Sequence, residues 1–410
     1  MVRLVHIFTF RAFPQLASGV ALTEAYDFGR FAPHLRDRPD DAVRVVPLGS
    51  LPEVRVATAS STLTPLDIDA ALWCDGLSQA QLHVAYDLPE ADPQEIAHHL
   101  ATFCHERASL SFDGVPLVEW VTQRADLPRA PKLDQDVLQF VEFAQVTELL
   151  STPAGPSPEA IAMIYRTATG LGSSAPVRTP TELNRIEGTF AAHGRGVVVL
   201  GGQSAAVTTT VRLTACELLF AVGRARHARA TIEDLLRGSR SHGDAARIWD
   251  DAASLSQVAR EVRQQRTVLA LDVQAFADGL FMPELVIDSF RASFADALRL
   301  NELTESTITL VDALTDIIRS SLADLQLRAA RITDKRERRW QLTVGMASGI
   351  TIPVALLLSY FGVSSEETVP SARSIFDLTV YGVIWAAAIM AASLIAFMSL
   401  RKYVRTRNEG

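Results

Sequence analysis

Two long uncharged runs near the end of the chain constrain it more than any other feature. From Trp340 to Ser365, and again from Leu378 to Leu400, no residue carries a charge. Roughly 20 consecutive apolar residues in a helix cross a bilayer core, and both runs are that long. They predict two transmembrane helices, 341–363 and 378–400, joined by an external loop at 364–377 and followed by a basic tail at 401–410. Trp340, Tyr360 and Tyr381 stand near the ends of the runs, where amphipathic rings favour the headgroup zone. Pro353 falls inside the first run, which lipid-embedded helices tolerate when neighbours satisfy the freed carbonyl.

The basic residues orient this hairpin. Arg328, Arg331, Lys335, Arg336, Arg338 and Arg339 precede the first run, and Arg401, Lys402, Arg405 and Arg407 follow the second. The loop carries Arg373 against Glu366, Glu367 and Asp377. The positive-inside rule then puts both termini in the cytoplasm and the acidic loop, with Glu366 and Glu367, outside an inner membrane. The opening Met-Val-Arg-Leu lacks the pattern of a signal peptide. Cys74, Cys104 and Cys216 are scattered and odd in number, as suits a reducing cytoplasm without disulfides. A net charge of −8 argues against nucleic acid as a partner. The dense basic patches flank the membrane, where they serve as topology determinants or meet anionic lipid.

The residues ahead of the membrane read as an α+β cytoplasmic region. An α/β domain is expected over 1–150, a loop-rich β segment over 151–212, and a helical region with a stalk over 213–340. Leu4–Phe10, Val54–Thr58 and Gln81–Tyr86 read as strands. Asp92 as N-cap and Pro93 at the first helical position start a helix reaching at least Leu100. Ser151–Glu159 and Gly170–Pro176 read as loops or linkers. Gly196–Leu200 and Ala206–Arg212 flank Gly201-Gly202-Gln203 and suggest a hairpin. From about Leu213 the chain turns helical, with further helices near 244–279 and 283–302. Val311, Leu314, Ile318, Leu322, Leu325, Ala329 and Ile332 form an apolar seam close to a heptad with a stutter. The seam packs either within the chain or around an oligomer axis.

Catalytic chemistry is not encoded in any familiar spacing, and no enzyme, metal or cofactor is expected. His98, His99, Cys104, His105 and Glu106 cluster on one predicted helix, but without the paired ligands of a zinc site. Cys104 and His105 are adjacent, so a helix points them to different faces. Gly201-Gly202 lacks the Lys-Ser/Thr of a phosphate loop. The pairs Asp250-Asp251 and Glu366-Glu367 read as solvated. Within the first run, Gln341, Gly345, Ser348, Ile352, Ala355, Ser359 and Gly362 recur every three or four residues. Such a stripe, with Gly345 and Gly349 as a GxxxG element, either packs helices closely or lines a water-filled path. The second run is rich in alanine.

The stalk, two spans, short outer loop and basic tail resemble the CorA-type divalent-cation channels. Those are homopentamers whose first span lines the pore and ends in Tyr-Gly-Met-Asn. Here Phe361-Gly362-Val363-Ser364 keeps the glycine and lacks the methionine and asparagine. A second resemblance rests on Pro180–Phe190, on Val197–Gln203 and on the basic segment running into Leu342–Ile350. These stretches are similar to the caspase- and TPR-associated (CATRA) proteins of bacterial conflict systems. That resemblance implies immunity by a membrane effector controlled by a caspase-like protease as partner, and with the first resemblance the chain is expected to be an effector or sensor of a defence system acting as a homo-oligomer. A divergent CorA-like ion channel and a non-conducting membrane scaffold are the alternatives.

Overall fold

The computed structural model describes residues 1–11, 13, 19–36, 43–51, 54–56, 68–75, 79–88, 92–105, 109–112, 114–144, 157–240, 252–273 and 285–364, with 382–387, 390–391, 393–394 and 397–398 beyond them. Its strands are β1 (Val2–Arg11), β2 (Val20–Ala21), β3 (Arg44–Leu51), β4 (Val54–Val56), β5 (Ile68–Cys74), β6 (Ala80–Leu88), β7 (Leu110–Phe112), β8 (Val115–Pro116), β9 (Lys132–Phe143), β10 (Phe190–His193) and β11 (Val197–Gly201). Its helices are α1 (Leu22–Ala25), α2 (Ala32–Arg36), α3 (Pro93–His105), α4 (Leu117–Arg124), α5 (Pro158–Thr169), α6 (Ala205–Arg240), α7 (Ala252–Thr267, continued by a π-turn over Val268–Val273), α8 (Leu285–Ala297) and α9 (Leu300–Ser364). The architecture is mixed α+β, with an N-terminal sheet and a long helical C-terminal region. Two compact units divide it: Met1–Ile248 with Ala253–Ile317, and Trp249–Ala252 with Ile318–Gly410.

The first unit is built on an eight-stranded sheet in the order β10-β11-β9-β1-β6-β5-β3-β2. Neighbours run antiparallel except β11 beside β9, which are parallel. β1 and β6 lie at the centre and are buried along nearly their whole length. Helices cover both faces, which is why Leu-Val-His-Ile-Phe-Thr-Phe reads as a continuous apolar run without alternation. Side chains alternate between faces. Leu4, Phe8, Leu82 and Tyr86 face one core with Leu100 and Phe103 of α3 and Ile161 and Tyr165 of α5. Gln81 and His83 face the other way and touch Cys216 of α6. β4, β7 and β8 form a separate small sheet.

Local chemistry sets the helix starts. Asp92 Oδ1 accepts from Gln94 N at 3.1 Å, and Pro93 opens α3, as its sequence predicts. Ser157 caps α5, whose far end closes on Gly170 in the left-handed region. Ser151–Pro156 lies outside the described residues, and Pro158-Glu159 begins α5 instead of ending a loop. The expected hairpin over 196–212 is corrected. β11 pairs with β10 and β9, and the chain turns at Gly202 straight into α6. Ala-Val-Thr-Thr-Thr-Val alternates like a strand, but Thr210 and Thr214 return their hydroxyls to the carbonyls of Ala206 and Thr210. Such bonds satisfy β-branched hydroxyls inside a helix. Helix therefore begins near 205, and the sheet takes β10 and β11 across the boundary expected at residue 150. α8 ends at Ala297, before the helix end expected near 302, because Arg299 adopts a positive φ of 56° ahead of α9.

Candidate functional site

α9 carries the residues that the sequence singles out. Its first turns belong to the first unit. Val311 and Leu314 are buried there, and Thr304 and Thr307 bond back to Leu300 O and Leu303 O; Ile318, where the second unit takes over the helix, is buried as well. Arg229 of α6 donates to Ser306 Oγ at 2.9 Å, and Arg266 of α7 faces Asp312 at 3.7 Å. The upper part of the apolar seam is thus consumed inside the chain. Its lower part, from Leu322 onward, is not. Leu322 and Leu325 are half-buried, Ala329 is exposed, and Ile332 is 56% exposed. Trp340, at 70% exposure, follows a collar in which Arg328 pairs with Asp324 and Arg338 with Asp334. Arg331, Lys335, Arg336 and Arg339 stand exposed beside them.

The stripe continues on the same helix. Gly345, Ser348, Ile352, Ala355 and Ser359 are all exposed, and Gly362 is helical. A Cβ at Gly345 would meet nothing within 4 Å. Close packing of this stripe therefore has no partner among the described residues of the single chain. Glu366 and Glu367 lie outside the described residues. The second expected span is described only in pieces, all helical, with Val383, Met390, Leu394 and Phe397 exposed. Among the described residues, one helix is long and apolar enough to cross a membrane by length and composition. It is Ala205–Arg237, whose apolar window is 78% buried. That helix is the α6 core of the first unit.

Among the described residues, the buried histidines of the first unit sit in three groupings. His99 of α3 turns into the core while His98 and His105 stay exposed; Glu106 lies outside the described residues. Gln139 Nε2 donates to Leu100 O at 2.9 Å and to His6 Nδ1 at 3.0 Å. His6 Nε2 then donates to Tyr86 Oη at 2.9 Å, and Tyr86 donates to His99 Nδ1 at 2.7 Å. The remaining ring proton of His99 faces Glu95 Oε1 at 4.0 Å. Burial lowers the pKa of His6, with His99 adding to it, and lowers His99 to about 4, with His98 adding to it. Tyr86 is raised, chiefly by burial. The chain is neutral and ties α3 to the sheet.

A cysteine–histidine pair does exist, between residues far apart in sequence. Cys216 Sγ lies 3.7 Å from His83 Nε2, and His83 stacks on Trp73 at 4.0 Å. Burial raises the thiol and lowers the imidazole, so both partners are neutral. A nucleophilic cysteine needs the reverse. On the opposite edge, His193 donates from Nδ1 to Gly194 O and accepts at Nε2 from Ser293 Oγ at 2.9 Å. Its pKa falls to about 4, mainly through burial. Arg178 binds Ser293 O and Asp296 beside it. The rings of Phe290 and Phe294 meet His193 edge-on, so this cluster latches α8 to β10. Among the described residues no group of three His, Cys, Asp or Glu side chains is placed to hold a metal.

No family model and no curated protein matches the chain. The structure of the full-length CmaX protein is similar at 13% identity, over 68% of this chain and 94% of that one, with a TM-score of 0.23. A TM-score that low assigns neither fold nor function.

Proposed function

We propose that this chain is a membrane-anchored effector or sensor of a bacterial defence system, held at the inner membrane by a two-helix hairpin with both termini cytoplasmic. The observation that carries the reading is α9. One helix begins with side chains buried in the folded unit and ends in an uncharged, exposed stretch behind a basic collar. Exposed Val344, Met346, Ile352 and Val354 are costly in water and favourable in lipid. The resemblance to the caspase- and TPR-associated proteins supports the defence context and a caspase-like protease as partner. The exposed stripe supports a homo-oligomer in which Gly345, Ser348, Ile352, Ala355, Ser359 and Gly362 pack helices or line a path.

In this reading the folded unit restrains the hairpin. A fragment beginning near Asn301, which keeps the stalk and both spans, is expected to depolarise cells monitored with a potential-sensitive dye. The full-length chain at equal abundance is expected to leave the potential intact. Ser348→Leu with Ser359→Leu, which replaces the polar stripe, should silence the fragment. A fragment that inserts and assembles without changing the potential would reduce the hairpin to an anchor.

A further inference from the structure

The register of the sheet sets three charges in one row. Arg3 on β1 lies directly opposite Asp87 on β6 and Glu142 on β9. Asp87 shares its face with Gln81 and His83, so the row points toward α6. Arg212, two turns into α6, closes it from above. With Thr208 and Thr209 these side chains line a cavity of about 350 Å³ at the carboxyl ends of β9 and β11. Small-molecule sites begin at roughly 300 Å³.

The pairs inside the cavity are stretched. Arg212 Nη2 stands 3.6 Å from Glu142 Oε1, and Arg3 Nη1 stands 3.7 Å from Asp87 Oδ2. Hydrogen bonds of this type end near about 3.2 Å. Asp87 Oδ1, Glu142 Oε1 and Arg212 Nε are buried with no hydrogen-bond partner among the described residues. Buried polar atoms are as a rule satisfied, and leaving charged ones unpaired is expensive. Here two acceptors and a donor of that kind belong to the side chains that line one space, and their nearest ionic partners are the stretched ones just given. Both signs of charge line the space, two arginines and two acids beside Met1, with Arg3 also reaching Asp69 at 3.5 Å. A simple anion would be repelled by Asp87 and Glu142, and a simple cation by Arg3 and Arg212. A molecule bearing both signs meets both sets, with the amino-terminal pole of α6 adding to the anionic end.

We propose that this cavity binds a small zwitterion of the α-amino-acid class, with its carboxylate on Arg212 and its ammonium on Asp87 and Glu142. The assignment is independent of the membrane reading. Purified full-length protein in detergent is titrated with each of the common free amino acids, and the shift of its unfolding midpoint is recorded. The same compounds with the amine acetylated or the carboxylate amidated serve as probes. At least one free amino acid should raise the midpoint, and neither blocked form of it should. Asp87→Asn, which keeps shape at a half-exposed position, and Glu142→Gln should each weaken that response roughly tenfold, the loss of one charge-assisted bond. No shift with any amino acid overturns the proposal and leaves a water-filled cavity. Equal shifts with the acetylated form overturn it in favour of a plain anion site. If a variant fails to fold, the comparison of free and blocked ligands on the unmodified protein still decides.

Discussion

Single residues hold this fold in ways that substitution can read. Gly202 sits at a φ of 66°, and a Cβ there would fall 2.1 Å from Gly188 O. Gly202→Ala is expected to destabilise by about 1–3 kcal/mol or more, through backbone strain and displacement of the β11–α6 turn. Urea unfolding followed by tryptophan fluorescence measures it, and a loss under half of the lower figure would contradict the turn. Tyr86→Phe removes the hydroxyl shared by His6 and His99 and leaves two buried ring nitrogens unpaired. It should cost about 1–3 kcal/mol in the same experiment. The histidines also set a pH dependence. His99 and His193 titrate near 4 in the folded chain, below the ordinary value of 6.5. Between those values the unfolded chain binds more protons, so stability rises with pH there. Unfolding midpoints should be flat above about pH 6.5 and fall as the pH drops toward 4. Replacing His193 by Gln should flatten part of that slope.

At the scale of elements, legibility follows locality. β1, β6 and the start of α3 could be read because each rests on neighbours in sequence: a long apolar run, or Asp-Pro before a helix. The start of α6 could not, since its alternating threonines mimic a strand and only their back-bonding to carbonyls a turn earlier reveals the helix. The parallel pairing of β9 with β11 and the Cys216–His83 pair depend on residues more than fifty positions apart, which no local pattern encodes. α9 was legible from Val311 onward, while its start at Leu300 was hidden inside the helix expected to reach 302, and its faces differ. A helix advances about 100° per residue, which sets the seam Leu322–Ile332 and the stripe Gln341–Gly362 roughly 130° apart. They therefore meet different surfaces. Ile332→Gln and Gly345→Leu should each weaken the oligomer in detergent, and light scattering on the double variant should show additive losses within about 0.5 kcal/mol. Strong coupling between the two would mean one shared interface.

At the scale of the whole molecule, the account rests on an uncharged segment with no work to do in water. The first unit has its own core and includes α9 as far as Ile317, with Thr307, Val311 and Leu314 buried, while the exposed segment beyond Trp340 gains nothing from the described fold. Six basic residues before that segment and four after the second run make its orientation testable. The measurement is thiol accessibility in intact cells. Ser371→Cys, in the proposed outer loop, is compared with a cysteine placed in the basic tail at Asn408, using a membrane-impermeant maleimide. The account predicts labelling at 371 in intact cells and labelling at 408 only after the membrane is opened. Labelling at 408 but not at 371 in intact cells would contradict the orientation, and a chain recovered wholly without membranes would contradict the anchor itself.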